Sequence, residues 1–224
     1  ICAFCAGADD SVLMRAPAGE RYVELSADGA TILPNGRLIT PKGPMIRVQP
    51  HPYGLTMSGD GRWVVAACSD GPQLSFLDMS SPDGAKHYQV PEKPDEKSGV
   101  LGACFMGLAV DASNKTLYVA GGSGWSVIAF DLETQQRLFQ IDCAHKELAG
   151  DFGHGSLGDL RLTLDGKTLY AANSVENTIA ALDAQTGALL WSLPVGANPS
   201  EILVTPNGQT AYVTVRNENK MKVV

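Results

Sequence analysis

Short apolar runs separated by polar turns make up most of this chain. Four times, an apolar run leads into a tight turn and then into a second apolar run that carries an aromatic residue. These aromatic residues are Trp63, Tyr118, Tyr170 and Tyr212. The unit recurs about every 40 to 50 residues, and a fixed period of this length indicates a repeat architecture. No segment has an apolar period of 3.6 residues that is long enough to predict a sizeable helix.

Each unit continues with two further predicted strands. A run that ends in Asp, such as residues 127–131 or 179–183, follows the aromatic strand, and a last apolar run such as 189–193 closes the unit. Four short strands joined by turns predict one antiparallel sheet, and a lone sheet of this size cannot bury its faces. Radial stacking buries them, so we predict an all-β protein, a β-propeller of four-stranded antiparallel blades.

The turns between the first and second strands support this prediction. Each carries residues that tolerate a positive φ between paired strands. They are Asp60-Gly61, Asp165-Gly166 and Asn207-Gly208, with Ser113-Asn114 in the second unit. Asn adopts the left-handed conformation less readily than Gly but more readily than most residues. The four turns therefore predict tight hairpins.

The aromatic strands carry a resemblance to a known family. Tyr118-Val-Ala-Gly121, Tyr170-Ala-Ala-Asn173 and Tyr212-Val-Thr214 follow the turns and resemble YVTN-type β-propeller repeats, found in lactonase-like and surface-layer-like bacterial and archaeal proteins. The resemblance covers residues from about 45 to 224 and implies a seven-bladed ring. Residues 33–44 are similar to the opening segment of propellers that precede a phosphoesterase domain, but the metal-ligating Asp/His pattern of that enzyme is missing from the sequence.

The repeat sets the predicted organisation of the chain. Residues 1–44 are predicted to be an N-terminal segment with a signal-peptide remnant and an opening hairpin, and residues 45–224 to form the blades. Three complete units are visible, and a fourth begins at Glu201 and reaches only its third strand. They begin near Tyr53, Met106 and Leu160. About four blades are therefore expected, as part of a seven-bladed ring.

The expected ring needs further blades. Because the chain stops within a predicted strand, we expect a missing C-terminal portion or a second chain to complete the propeller. The alternatives are two copies of this chain pairing into a larger ring, or a closed ring of four blades. In the closed ring, residues 45–49 would supply the outermost strand of the last blade and remove the exposed sheet edges.

Composition and charge narrow the class of protein. A hydrophobic content of 44% with 24 Gly and 13 Pro fits a turn-rich all-β chain. The net charge of −7 argues against nucleic acid as a partner, because that partner requires a basic groove. No apolar run approaches the roughly 18 residues needed to cross a bilayer. Residues 1–8, small and apolar, favour an exported protein, at the cell surface, in the periplasm or outside the cell; a mature N-terminus packed on the propeller is the alternative.

The spacing of the five cysteines excludes covalent haem attachment and a structural zinc site. Cys2 and Cys5 form a C-x-x-C pair, but no His follows, so covalent haem attachment is excluded. A structural zinc would need a second such pair, which the sequence lacks. Cys68 lies within a predicted strand and is expected to be a buried free thiol.

Candidate chemistry concentrates in the connections between units. Two of these, residues 88–106 and 142–159, are long, and binding residues concentrate on loops of a rigid scaffold. The second contains His145, Asp151 and His154. Imidazole and carboxylate suit a divalent metal or a general base pair. The alternative is a solvated loop whose polar groups bond one another, and the nine-residue spacing of the histidines matches no standard metal motif.

Other candidates for a binding face lie in short loops. His51 lies between two prolines at the start of the first predicted inner strand. The remaining candidates are Asp70, Trp125, Asn173, Asn177, Asn198 and Arg216. Each of these also fits an ordinary turn-forming role. Residues 153–158 match G-x-G-x-x-G, but a strand rather than a helix is predicted after them, which argues against a dinucleotide site.

Two functions fit these observations, and a redox propeller fits them least. The main hypothesis is a binding or scaffold propeller, a portion of a larger exported protein that presents its loops to a ligand or partner. The alternative is a hydrolase, lactonase-like or phosphoesterase-linked, with a metal or polar site at the channel mouth. It requires His51, His145 or His154 to converge with carboxylates. Fold alone does not decide between them.

Overall fold

The computed structural model describes residues 17–25, 30–40, 42–43, 45–68, 73–81, 85–90, 106–122, 126–142 and 157–224. The chain divides into two compact units, residues 1–47 and 48–224. The described part of the first unit contains a three-stranded antiparallel sheet with the strands in chain order. Its strands are β1 (Glu24–Leu25), β2 (Thr31–Ile32) and β3 (Leu38–Ile39). A turn at 33–36 joins β2 to β3, with the Gly36 N–H donating to the Leu33 carbonyl.

The second unit consists of four antiparallel sheets, called blades 1 to 4, each with its strands in chain order. Blade 1 is β4 (Pro52–Met57), β5 (Trp63–Cys68), β6 (Gln73–Asp78) and β7 (Lys86–Val90). Blade 2 is β8 (Leu108–Val110), β9 (Thr116–Ala120), β10 (Ser126–Asp131) and β11 (Arg137–Asp142). Blade 3 is β12 (Leu157–Leu162), β13 (Thr168–Asn173), β14 (Thr178–Asp183) and β15 (Leu189–Pro194). Blade 4 is β16 (Pro199–Val204), β17 (Ala211–Val215) and β18 (Lys220–Val223), with a 3-10 turn at Arg216–Glu218.

This architecture confirms the predicted all-β propeller. Three sheets have four strands, and the fourth reaches its third strand, as the repeat indicated. Residues 45–49, which would supply the outermost strand in the alternative of a closed four-blade ring, lie outside any strand. Helix within the described ranges is limited to the three-residue 3-10 turn, so no helix in that part of the chain could span a membrane.

A repeated hydrogen-bond pattern closes the first hairpin of each blade. A hydroxyl donates to a carboxylate or amide oxygen two residues away, as from Thr163 to Asp165 at 2.6 Å. The same hydroxyl oxygen accepts the Thr168 N–H at 3.0 Å, at the start of the next strand. The equivalent pairs are Ser58 with Asp60 and Thr205 with Asn207. In blade 2 the order is reversed, since Ser113 donates to Asp111 and the Asp111 carboxylate accepts the Thr116 N–H at 2.9 Å. Gly61, Asn114, Gly166 and Gly208 supply the positive φ that these tight turns require.

Apolar side chains fill the spaces between successive blades. Blades 1 and 2 enclose a cluster in which the rings of Phe76 and Phe130 meet edge to face, with centroids 6.4 Å apart. Leu160 and Leu169 lie in the cluster between blades 2 and 3, and Ile179 and Ile202 lie in the cluster between blades 3 and 4. Because each sheet is apolar on both faces, stacking is what buries it.

The innermost strands of neighbouring blades approach one another closely. A Cβ on Gly54 would collide with the Met106 carbonyl, and one on Gly107 would collide with the Gly158 carbonyl. Glycine is therefore required at both positions by close backbone contact between blades rather than by an unusual φ.

Candidate functional site

The strand pairing places the described candidate residues at one end of the blades, which we call the loop end. At this end, each first strand begins next to the connection between the second and third strands of its blade. In blade 3, Leu157 at the start of β12 pairs with Asn173 at the end of β13, and Asn173 pairs with Thr178 at the start of β14. We call the opposite end, where the tight hairpins between first and second strands lie, the turn end. The described candidates at the loop end are His51, Asn173, Asn177, Asn198 and Arg216. The candidates Asp70, Trp125, His145, Asp151 and His154 lie outside the described residues.

Asn177 and Asn198 hold three connections of blades 3 and 4 together. The Asn177 side-chain oxygen accepts the Asn198 N–H at 2.8 Å, and the Asn177 carbonyl accepts the Val195 N–H at 3.0 Å. The Asn198 carbonyl accepts the Arg216 N–H at 3.1 Å. Both asparagines have a positive φ, a conformation that Asn tolerates well. Their structural role is therefore to fix loop geometry.

Asn173 also has a structural role. It is buried at the end of β13, and its side-chain oxygen accepts the Glu176 N–H at 3.0 Å. This bond, from the N–H three positions along the chain, closes the turn between β13 and β14. Because its side-chain oxygen is bonded within the turn, Asn173 stabilises the backbone of the loop end.

Arg216 and Glu218 place opposite charges on the last connection of blade 4. Arg216 is exposed, so its guanidinium is available to a ligand at the loop end. A carboxylate oxygen of Glu218 accepts the Ala197 N–H at 2.8 Å, which fixes the 3-10 turn against the connection between blades 3 and 4. A fixed turn presents Arg216 from a defined position.

His51 is held in an unusual backbone conformation. It is exposed, has φ of 53°, and precedes Pro52. Six described non-glycine residues have a positive φ; four of them are Asn, and His51 and Gln135 are the others. A side chain in this region costs about 1–3 kcal/mol and persists where the surroundings impose it, which is typical of functional positions.

The segment before His51 supplies part of that constraint. The Gln49 N–H donates to the Ser75 hydroxyl at 3.1 Å, and the Gln49 side-chain amide donates to the Gln89 side-chain oxygen at 2.7 Å. These bonds tie the approach to β4 onto the third and fourth strands of blade 1. The imidazole of His51 therefore projects at the loop end from an anchored backbone.

Asp159 is a buried carboxylate whose role the sequence did not reveal. One oxygen accepts the Ile202 N–H of blade 4 at 2.9 Å, and the other accepts the Leu160 N–H at 2.9 Å and the Arg161 guanidinium at 3.0 Å. Burial raises the pKa of Asp159, against the opposing effect of these donors. The carboxylate ties the inner strands of blades 3 and 4 together.

The described residues do not form a metal site. Within the described ranges, no three His, Cys, Asp or Glu residues lie close enough to hold a metal ion. The predicted metal ligands fall in the stretch 143–156, which is outside those ranges. Cys68 is a buried free thiol, as predicted.

The sequence profile of one protein family matches most of this chain. The family is described as "Lactonase, 7-bladed beta-propeller", and the match covers residues 23–224. The chain belongs to this lactonase family. None of the curated proteins matches the chain.

Solved structures of lactonases share the fold. A putative 6-phosphogluconolactonase from Bacteroides uniformis matches with a TM-score of 0.60 and 24% identity, over 90% of this chain and 59% of that one. The putative 6-phosphogluconolactonase from Bacteroides fragilis matches with a TM-score of 0.58 and 21% identity, over 87% and 58%. The periplasmic gluconolactonase from Pseudomonas aeruginosa matches with a TM-score of 0.61 and 19% identity, over 87% and 57%.

These comparisons bear on the predicted family resemblance and on the two functional hypotheses. The lactonase-like part of the predicted resemblance is confirmed, and the seven blades of the family exceed those described in this chain. The lactonase-family chain spans less than three fifths of each of these solved structures. The comparisons support the hydrolase alternative better than the binding or scaffold hypothesis.

Proposed function

We propose that this chain is part of a lactone hydrolase that binds its substrate at the loop end of the blades. The observation that carries the proposal is the lactonase-family match over residues 23–224. The names of the similar structures suggest a substrate class, since one is called a gluconolactonase and two are called putative 6-phosphogluconolactonases, and both names refer to lactones of sugar acids. We propose the same class here.

The proposed reaction is hydrolysis of a cyclic ester. Water adds to the lactone carbonyl, the bond from that carbon to the ring oxygen breaks, and the ring oxygen takes up the proton that the water has lost. The reaction needs a base to accept the proton and a positive group to stabilise the negative charge that develops on the carbonyl oxygen.

His51 and Arg216 are our candidates for these two tasks. A neutral imidazole accepts a proton near physiological pH, and His51 is exposed at the loop end in a constrained conformation. The guanidinium of Arg216 suits an oxyanion or the anionic group of a sugar acid. A divalent metal held by His145, Asp151 and His154 is a further proposal, and it would supply polarisation of the carbonyl.

Substitution of His51 tests the proposal. Lactone hydrolysis is followed in a pH-stat with spontaneous hydrolysis subtracted, on the 224-residue chain and on the full gene product in parallel. We expect His51→Asn to lower the enzymatic rate by 10²-fold or more, on the order of what a general base contributes. Because Asn tolerates a positive φ, the same variant keeps or slightly raises the melting temperature.

A matched control separates a chemical role from a structural one. His87 is exposed on β7, and His87→Asn should leave the rate unchanged.

Arg216→Ala should raise KM for a phosphorylated lactone more than for a neutral one. Tight binding of sugar lactones without turnover in the full gene product would refute the hydrolase proposal and restore the binding function. Metal analysis of the same samples tests the ligand set in the 143–156 stretch.

We also propose that the protein is exported. The periplasmic location of the Pseudomonas aeruginosa gluconolactonase supports this, together with the small apolar residues 1–8. A lactonase outside the cytoplasm would convert sugar lactones into sugar acids there.

A further inference from the structure

The outermost strand of blade 3 has an exposed edge made of apolar residues. The first strand of this blade, β12, contacts the first strands of blades 2 and 4, and β15 lies at the opposite side of the sheet. No described strand pairs with the outer side of β15. Along it, Leu189, Leu190, Trp191 and Leu193 are all exposed. An apolar sheet edge with unpaired backbone groups is a template for pairing with another strand.

The equivalent edges of blades 1 and 2 carry ionisable side chains. Lys86 and His87 lie on β7, and β11 begins at Arg137 and ends at Asp142. Charged side chains on an edge strand oppose pairing with a second chain. By contrast, β15 reads Leu-Leu-Trp-Ser-Leu-Pro and has no ionisable side chain. Its proline, Pro194, is the last residue and leaves the backbone donors of the preceding residues in place.

The hydrogen bonds to β14 show which backbone groups of β15 point outward. Just beyond the strand, the Val195 N–H donates to the carbonyl of Asn177, the residue directly opposite, at 3.0 Å. Bonded and non-bonded pairs alternate along an antiparallel ladder, so Leu193 and Trp191 are also bonded to β14. Ser192 lies between them and therefore directs its N–H and its carbonyl away from β14, toward the open edge.

The ring of Trp191 is held in place beside this edge. It packs against the ring of Tyr170 on β13, with centroids 5.7 Å apart and the planes tilted by 48°. Trp191 is nevertheless 40% exposed. An aromatic side chain that is already fixed loses little freedom on association, and Trp is among the residues that contribute most to protein contacts.

We propose that β15 pairs antiparallel with β15 of a second copy of this protein, about a two-fold axis at Ser192. The segment Trp191–Leu193 is apolar, polar and apolar in both directions, so each Trp191 would lie opposite Leu193 of the other copy. An edge of this kind is complementary to itself, as a two-fold contact requires. It has no charge that would select a strand of a different protein.

The proposed contact joins the outer sides of two blades into one eight-stranded sheet and leaves the number of blades in each copy unchanged. One edge strand from each copy makes a small interface, and interfaces below about 1,200 Å² are typical of weak or transient complexes. We therefore expect a monomer–dimer equilibrium with a Kd in the micromolar range.

Charged substitutions at equivalent positions of two edges test the proposal. Leu190 and Leu138 lie at the same irregularity of β15 and β11 and are 52% and 51% exposed. Sedimentation velocity of the full gene product and of the 224-residue chain, across the micromolar range, should show a dimer in both. Leu190→Lys should raise the Kd about ten-fold or more, because the two-fold axis brings in two charges. Leu138→Lys should leave the Kd unchanged, and circular dichroism melts verify that both variants fold.

Three results would overturn the proposal. A full gene product that stays monomeric at the highest concentration would exclude the dimer. Equal effects of Leu190→Lys and Leu138→Lys would show that the edge of β15 is not the contact. Association confined to the 224-residue chain would assign the contact to a surface that the full gene product covers.

Disulfide trapping tests the position of the two-fold axis. Directly opposed residues in bonded antiparallel pairs have Cα atoms about 5.5 Å apart, a distance that a disulfide spans. Ser192→Cys should therefore link two copies under mild oxidation, whereas Gln140→Cys, at the equivalent position of β11, should not. Mass spectrometry of the linked peptides distinguishes these bonds from those of the native cysteines. A dimer in which Ser192→Cys does not link would overturn the alignment. The proposal does not depend on lactone hydrolysis.

Discussion

Arg62 joins two blades through a single side chain. Its guanidinium donates to both carboxylate oxygens of Asp78 at 3.3 and 3.2 Å and of Glu133 at 2.6 and 3.0 Å. It also lies 5.0 Å from the centroid of the Trp63 ring. Hydrogen bonds from Arg62 and Ser80 hold the pKa of Asp78 well below its usual range. The first two blades thus share a charge network at the turn end.

Replacement of Arg62 should make the protein less sensitive to acid. Because the pKa of Asp78 is lower in the folded state than in the unfolded state, its stabilising effect is complete above the unfolded pKa of about 4 and is lost as the pH falls toward the folded pKa. We expect Arg62→Gln to lower the melting temperature at pH 7 and to reduce the further drop between pH 7 and pH 3.

Circular dichroism melts across that pH range measure this difference. Substitution of the exposed Lys222 by Gln is the control, and it should leave the pH dependence as it is in the parent chain. An Arg62→Gln variant with an unchanged drop in acid would show that the Asp78 network does not contribute to acid unfolding.

At the scale of elements, each hairpin combines one buried face with one solvent-facing turn. Leu160 on β12 is fully buried between blades 2 and 3, whereas Leu164 in the following turn is 72% exposed. The two leucines are four residues apart, and the sequence alone gives both the same hydrophobicity. Their positions in the stacked blades determine that Leu160 is buried and Leu164 is exposed.

Truncation of these two leucines should therefore have very different effects. Leu160→Ala removes a fully buried side chain and should lower the free energy of unfolding by about 2–5 kcal/mol, through lost burial and the cavity left behind. Leu164→Ala should change it by no more than about 0.5 kcal/mol. Urea denaturation monitored by fluorescence gives both values, and similar losses for the two variants would contradict the stacked arrangement.

The strands were predictable because a local code specifies them. Short apolar runs, joined by an Asp or Asn before Gly as in Asp165 and Gly166, are visible in the sequence. The candidate site was less predictable. The positive φ of His51 and the structural roles of Asn177 and Asn198 depend on bonds between distant segments.

At the scale of the whole molecule, the contact between successive blades is tightest at the innermost strands. A Cβ on Gly107 would collide with the Gly158 carbonyl and lie 2.8 Å from the Ala120 Cβ and 2.9 Å from the Leu160 nitrogen. Backbone atoms cannot yield without moving a strand. The distance between blades 2 and 3 is therefore set by the absence of a side chain at Gly107.

Alanine at Gly107 should force these blades apart. We expect Gly107→Ala to lower the free energy of unfolding by about 1–3 kcal/mol or more, as overpacked positions do. Gly158→Ala is the matched control, since its Cβ would come no nearer than 3.3 Å to the Ser200 carbonyl and should cost less. Equal costs for the two variants in chemical denaturation would show that the close contact at Gly107 does not set the distance between blades 2 and 3.

The hydrogen-bonded hairpins at the turn end have a consequence for how this protein can diverge. Each is closed by a hydroxyl-to-acceptor bond spanning two residues, so an inserted residue would break the bond and shift the register of both strands. At the loop end the connections between blades differ in length, from residues 195–198 between blades 3 and 4 to residues 143–156 between blades 2 and 3. The loop end can therefore change in length and sequence during evolution while the turn end stays constant. One scaffold can in this way acquire new specificities with the same fold.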